Sequence, residues 1–257
     1  MAHDFKFDFG DDAARGAAEA LPSAPSAPDA PRAGAVARVV EAREGCRPAL
    51  ESVVVEGETF QVSRAPQRLV EAGVYEGGNE LWECSLDLAR YLARTCGVRG
   101  RTVVELGCGR GLPSLWALRA GARVVACHDY NDTVLQEVTA PALKNEGNNF
   151  RLYAGPWGPA LTTLLRRDFV DGFDVVLSAE TTYRDDIARD LATTIADTLA
   201  KDGTALVATK RYYFGTGGGV RPFLRALPPA LHADVVWSSE DGASNIRDIL
   251  QLQWRPD

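Results

Sequence analysis

Two carboxylates around a glycine run carry the clearest chemistry in this chain. Glu105 stands two residues ahead of Gly107-Cys108-Gly109-Arg110-Gly111, and Asp129 follows 22 residues after Gly107. Glycines at alternate positions let a backbone turn sharply and approach a ligand with no Cβ in the way. The free N–H groups of a following helix face the same point. A carboxylate at that distance beyond the turn sits where it can take both hydroxyls of a ribose, so the spacing describes an adenine-nucleoside site. A dinucleotide fingerprint would need a third glycine at position 112, which is Leu112, and the turn carries no phosphate-binding lysine. Hydride transfer with NAD is therefore disfavoured. Acids at Glu105 and Asp129 suit a cationic ligand without phosphate, and S-adenosylmethionine, with its sulfonium and ammonium, is the expected cofactor.

A second group of residues could act on whatever accepts a methyl group. Ser178 to Tyr183, SAETTY, follows an apolar run and places Glu180 and Tyr183 where an acceptor must approach in line with the S–CH3 bond. These two are the expected catalytic residues, with helix capping as the structural alternative for Glu180. The segment KRYYFGTGGG, 210–219, reads as a mobile, ring-presenting loop over the pocket, so Lys210, Tyr212, Tyr213 and Phe214 are the expected substrate-binding residues; an ordinary loop with partly buried tyrosines is the alternative. Trp157 in AGPWGP could lie against an adenine ring or in the core. His3, His128 and His232 share no metal-ligand spacing and are read as structural or surface residues, and no metal is expected.

The elements that must hold these groups alternate along the chain. Residues 101–106 read as a strand buried on both faces, 112–120 as a helix stopped by Gly121, and Val124 and Val125 as part of the next strand. Ahead of them, 53–62 reads as a strand or hairpin and 80–95 as an amphipathic helix. Beyond Asp129, a helix over 132–145 is interrupted in pattern by Pro141. Strands follow at 150–153 and 173–178, then a helix at 185–200, a strand at 204–210, a short helix at 219–227 and an antiparallel closing pair, 232–238 with 246–254. This order predicts an α/β, Rossmann-like class I (seven-strand) methyltransferase fold, a doubly wound, mostly parallel sheet with an antiparallel terminal hairpin. Its ligand belongs at the carboxyl ends of the strands.

Bulk properties narrow the partners. The 257 residues, 46% hydrophobic and 25% charged, can bury one sizeable core. Residues 36–257 are read as one domain, preceded by a disordered leader, 1–35, that is rich in Ala, Asp and Pro behind an alternating Phe5, Phe7, Phe9 segment. A net charge of −7 argues against sequence-independent nucleic-acid binding and suits a basic protein partner. The sequence contains no apolar run of about 18 residues and no signal peptide. Five cysteines without a CxxC are expected to be reduced thiols.

Five stretches together resemble the eukaryotic protein-histidine methyltransferases of the seven-strand methyltransferase-like group: 75–92, 103–114, 128–141, 173–183 and 210–220. The opening FKFDF is similar to that family's start. The resemblance implies N-methylation of a histidine in large-subunit ribosomal protein L three, with S-adenosylmethionine as donor, in cytoplasm and nucleus; a monomer is the expected state. It also implies that Trp82, Glu83, Cys84 and Ser85 belong to the helix segment that closes over the donor, that Gly107 belongs to the glycine turn, that Asp129, Tyr130 and Asn131 form the ribose-binding tract, that Gly155 and Trp157 lie on the adenine side, and that Ser178 ends the fourth strand. A protein-lysine methyltransferase of the sister group and a non-catalytic donor-binding module that holds a client are the competing readings.

Overall fold

The computed structural model describes residues 36–95, 97–239 and 245–256. Phe5, Phe7, Phe9 and the rest of the expected leader lie outside the described residues, as does Cys96. In chain order the elements are β1 (Arg38–Val40), β2 (Leu50–Val55), β3 (Glu58–Ser63), α1 (Glu83–Thr95), β4 (Thr102–Leu106), α2 (Leu112–Arg119) and β5 (Val124–Asp129). There follow α3 (Asp132–Val134), a π turn (Leu135–Thr139), α4 (Ala140–Leu143), β6 (Phe150–Ala154), α5 (Pro159–Asp168), β7 (Phe173–Ala179) and α6 (Asp185–Thr198). The last elements are β8 (Leu199–Lys210), α7 (Val220–Ala226), β9 (Leu231–Ser238) and β10 (Arg247–Trp254).

Eight strands form one sheet in the order β1-β6-β5-β4-β7-β8-β10-β9. The pairs β4 with β5, β4 with β7, β5 with β6 and β7 with β8 are parallel, while β10 runs antiparallel to both β8 and β9. The expected parallel sheet with its antiparallel closing hairpin is thus observed. Side-chain alternation on the central strands feeds two cores. Val103, Val125 and Leu177 face the side covered by α1, α2 and the β2–β3 hairpin. Val104, Ala126 and Val176 face the side covered by α5, α6 and α7. A strand buried on both faces has no polar alternation, which is why 101–106 and 173–178 read as continuous apolar runs. Replacing Leu177, fully buried at the sheet centre, by alanine is expected to cost about 2–5 kcal/mol, read from the guanidinium midpoint at constant slope.

Four elements depart from the sequence reading. Strand β1 adds an antiparallel edge beside β6, too short at three residues to leave a periodic signal. Helix α5 was not anticipated: it buries only Leu161 and Leu165, one turn apart, and its Thr162-Thr163 pair weakens helix propensity. Strand β8 begins at Leu199, directly after α6, rather than at 204. The helix expected over 132–145 is divided by the π turn two residues before Pro141, whose missing N–H cannot support an i→i−4 bond. That wider turn delivers the Thr139 hydroxyl to the Gly109 carbonyl at 2.6 Å, bracing the glycine run from below.

Candidate active site

The carboxyl ends of β4, β5, β6 and β7 open into a cavity of about 380 Å³. This is where the order of strands reverses and where an open α/β sheet binds its ligand. Its wall contains Glu105 on β4 with Gly107 and Gly109 after it, Asp129 at the end of β5 with Tyr130 after it, Gly155 and Trp157 after β6, and Glu180 and Tyr183 after β7. Trp82 and Ser85 at the start of α1 complete the part that sequence analysis anticipated.

Asp129 organises the glycine run before any ligand arrives. One carboxylate oxygen accepts the Gly109 N–H at 3.0 Å and the other accepts the Asn131 N–H at 3.1 Å. A carboxylate has about four acceptor positions, so these donors leave capacity for a further one. Burial raises the Asp129 pKa to about 6 despite those two donors. Burial raises Glu105 further, to about 8, against the backbone N–H and hydroxyl of Ser114, which both donate to it. Beneath them His128 is pushed down to about 4 by burial and is therefore a neutral imidazole. Its Nε2 lies 2.8 Å from the Gly155 carbonyl, and its Nδ1 accepts the Gly107 N–H at 3.4 Å. This is the structural histidine that the sequence reading expected.

Gly107 has φ +73, and a Cβ there would lie 2.6 Å from the Thr181 methyl and 3.6 Å from the Trp157 ring. The indole therefore sits against the glycine turn. Its buried Nε1 has no hydrogen-bond partner, as a group waiting for a ligand acceptor would be. Gly155 serves a second purpose that was not foreseen: a Cβ there would meet Ala37 Cα at 2.7 Å, so glycine also admits the residue leading into β1.

Acids dominate the wall. Glu76, Glu80, Glu105, Asp129, Glu180, Asp186 and Asp190 face Arg110 and Arg184 as the only permanent cations among its lining residues. Glu180 occupies the left-handed region at φ +59, a conformation uncommon for any residue with a Cβ and associated with functional sites. Its buried carboxylate lies 2.8 Å from Lys210 Nζ. Burial lowers the Lys210 pKa, but the bond and charge of Glu180 outweigh it and the net shift is upward. Tyr183 donates its hydroxyl to Glu76.

Several anticipated residues stand outside this wall. Cys84 is buried behind it, its thiol raised by burial and by Glu180, and Glu83 is an exposed partner of Lys210 at 3.6 Å. Gly111 is the N-cap of α2, and Asn131 anchors the lid by donating to the Val74 carbonyl at 2.8 Å. Ser178 bonds the Leu106 carbonyl at 2.8 Å and the Thr181 hydroxyl at 2.7 Å, holding the ends of β4 and β7 together. The 210–219 loop is not a free flap over the pocket: Gly217 and Gly219 bridge to Arg184 and Tyr212, and Gly219 N–H bonds the Thr182 carbonyl at 2.8 Å. Tyr213 turns inward toward Thr209 and Lys210, while Tyr212 and Phe214 are exposed and packed edge to face.

Sequence reasoning counted 75–92 toward the family resemblance but gave no site role to 73–80, the segment that roofs the cavity. Tyr130 donates to the Gly73 carbonyl at 2.9 Å, Tyr75 accepts the Asn79 N–H at 2.7 Å, and Gly78 packs on Gly109, whose Cβ would meet the Gly78 carbonyl at 3.1 Å. The adjacent pair Gly77-Gly78 was the available signal, because paired glycines permit one backbone to approach another. Among the described residues no group of three or more His, Cys, Asp or Glu is arranged to hold a metal, no helix is long and apolar enough to cross a membrane, and four cysteines are free thiols.

Comparison with known proteins agrees with this architecture. A family model described as lysine methyltransferase matches residues 65–215. The chain is 37% identical over 186 residues to the histidine protein methyltransferase 1 homolog of Dictyostelium discoideum, covering 70% of this chain and 59% of that relative. It is 35% identical over 178 residues to the mouse protein of the same name, covering 59% of this chain and 49% of the relative. The chain thus spans about half to three-fifths of the length of these curated relatives. Among solved structures, a protein from Streptococcus mutans assigned to the SAM-dependent methyltransferases superposes with a TM-score of 0.55 at 13% identity, over 80% of this chain and 56% of that one, a likeness of fold.

Proposed function

Since this chain belongs to the family described as lysine methyltransferase, we propose that it transfers a methyl group from S-adenosylmethionine to a side-chain nitrogen of a protein, and that this nitrogen belongs to histidine. The observation that carries the reading is one cavity lined by Glu105 and Asp129 around the glycine run and by Glu180 and Tyr183 after β7. The histidine assignment leans on the two relatives named above. A basic substrate suits the acidic wall. Ribosomal protein L three, the cytoplasm and nucleus, and a monomeric enzyme are the further assignments that the family resemblance favours.

The donor would bring an electrophilic methyl group on a sulfonium. In this reading Asp129 takes the ribose hydroxyls, Trp157 lies along the adenine, and Glu105 meets the ammonium. A neutral imidazole is already nucleophilic near pH 7, so the protein's work is alignment and choice of tautomer rather than strong base catalysis. Either Glu180 or Tyr183 is the group to hold the far ring nitrogen. A lysine acceptor is the second reading, favoured by the description of the family model, and it would first have to lose a proton. Incubation with radiolabelled donor and unmethylated ribosomal protein L three, followed by acid hydrolysis and chromatography, separates them. Labelled methylhistidine is expected; methyllysine would move the acceptor, and absence of label despite donor binding would favour a non-catalytic binder.

Donor binding should be coupled to protons. Glu105 holds its proton more tightly folded than unfolded, so its contribution to stability is complete below its ordinary pKa near 4.5 and is lost as pH rises through about 8. A cationic donor reverses the preference by favouring the carboxylate. At pH 7, binding is expected to expel about one proton per donor, seen as a dependence of calorimetric enthalpy on buffer ionisation enthalpy. The effect should vanish at pH 7 in Glu105→Gln. An enthalpy independent of buffer at pH 7 would show that the donor's ammonium does not meet Glu105.

A further inference from the structure

The Tyr183 hydroxyl has one proton, and that proton is given to Glu76. Glu76 lies on the roofing segment, far away in sequence, and is fixed on several sides. The other oxygen of its carboxylate accepts the Gly73 N–H at 2.6 Å and lies 3.5 Å from Arg184 Nη1, and its backbone N–H reaches Asn131 Oδ1 at 3.4 Å. Burial, followed by the charge and hydrogen bond of Glu76, pushes the Tyr183 pKa upward, so the phenol keeps its proton at any working pH. A tyrosine hydroxyl otherwise rotates freely and presents either its proton or its lone pairs. Here the rotation is settled, and only lone pairs are left to face the cavity that Tyr183 lines.

We propose that Glu76 is a positioning residue that makes Tyr183 a pure hydrogen-bond acceptor and so selects the tautomer in which the acceptor histidine is presented. This rests on the histidine reading above. A neutral imidazole has one N–H and one lone pair. A Tyr183 that could only accept holds the N–H nitrogen and leaves the other nitrogen bare toward the methyl group; a Tyr183 free to donate would bind the bare nitrogen and block attack. In the transfer the nitrogen lone pair forms the N–CH3 bond while the S–CH3 bond breaks and its electron pair leaves with sulfur. The imidazolium then gives its N–H proton to Tyr183 Oη as the Tyr183 proton moves onto Glu76. Glu180 lacks this arrangement, because its carboxylate is tied to Lys210 from the opposite side.

Glu76→Gln tests the assignment, because an amide can turn its NH2 toward Tyr183 and release the hydroxyl to donate. With radiolabelled donor and unmethylated ribosomal protein L three, the variant is expected to lose about tenfold in kcat. KM should change less than threefold, and a second methylhistidine isomer should appear in the hydrolysate. Calorimetric donor affinity, expected within threefold of wild type, establishes that the cavity is intact. In the Tyr183→Phe background, adding Glu76→Gln should change neither rate nor isomer ratio further, since a residue acting only through Tyr183 has nothing left to act on. Arg184→Gln, which loosens the same roof but keeps the Tyr183–Glu76 bond, should leave the isomer ratio unchanged.

The assignment is overturned if the Glu76 and Tyr183 losses multiply in the double variant, or if Glu76→Gln retains a single isomer at full rate. It is equally overturned if Arg184→Gln shifts the isomer ratio as much as Glu76→Gln does. A wild-type product of methyllysine would instead overturn the histidine reading, and this inference with it.

Discussion

Asp129→Ala is expected to weaken binding of S-adenosylmethionine and of its demethylated product by about two to three orders of magnitude, with little loss of fold. Hydrogen bonds to a charged group contribute about 1.5–3 kcal/mol each. Two ribose hydroxyls on one buried carboxylate therefore put about 3–6 kcal/mol at stake, which is a factor of at least 10² in affinity. The variant also frees the Gly109 and Asn131 N–H groups that the carboxylate now binds, so the glycine run loses its brace as well as its ligand contact. Stability should be spared because the removed acid is costly to bury, as its elevation to about 6 records. Isothermal titration supplies the affinity and thermal unfolding the control. Asp129→Asn keeps the shape with one acceptor oxygen and should fall between the two. An affinity within threefold of wild type would remove Asp129 from the donor site.

Gly218→Ala should damage both fold and activity, although the added group is one methyl. Gly218 does not require a left-handed backbone; it requires the absence of a Cβ. A Cβ there would run into the Thr182 carbonyl and the Tyr183 carbonyl carbon, and would stand 2.6 Å from Arg184 N. These are backbone atoms of the segment carrying Tyr183, and the clash cannot be relieved by turning a side chain. Overpacking of this kind costs about 1–3 kcal/mol, which for a domain of this size lowers Tm by roughly 2–12 °C. Displacing Thr182–Arg184 by about 1 Å also misplaces the acceptor, which costs about 10²-fold in kcat/KM. Donor affinity, which the proposed reading assigns to Asp129 and the glycine run, should change far less. The companion variant Phe214→Ala, at the exposed tip of the same loop, should leave Tm unchanged. Any loss it shows in peptide KM would then report substrate contact alone. Equal Tm and kcat/KM in Gly218→Ala and wild type would mean that the 210–219 loop moves independently of Tyr183.

The proposed donor half of the site could be put together from sequence because it is local. Glu105, the three glycines and Asp129 lie on one strand–turn–helix–strand unit, whose spacing alone fixes that the carboxylate ends near the turn. The fold was legible for the same reason: continuous apolar runs mark strands buried on both faces, and a pair with no helix between marks the antiparallel hairpin. What escaped was short or weakly patterned, such as the three residues of β1 and the threonine-bearing α5.

The acceptor half was decided by tertiary structure. Nothing in the spacing of Glu76 and Tyr183, 107 residues apart, indicates that a carboxylate on the roof takes the proton of a tyrosine after β7. Nor does KRYYFGTGGG disclose that its glycines are packed against the backbone of Thr182–Arg184 rather than free to swing. Backbone periodicity and turn chemistry act over a few residues, so a sequence can state which strands exist and which turn has the form of a nucleoside site. The direction of a hydroxyl proton and the room for one methyl group depend on atoms that only the folded chain brings within 3 Å of each other.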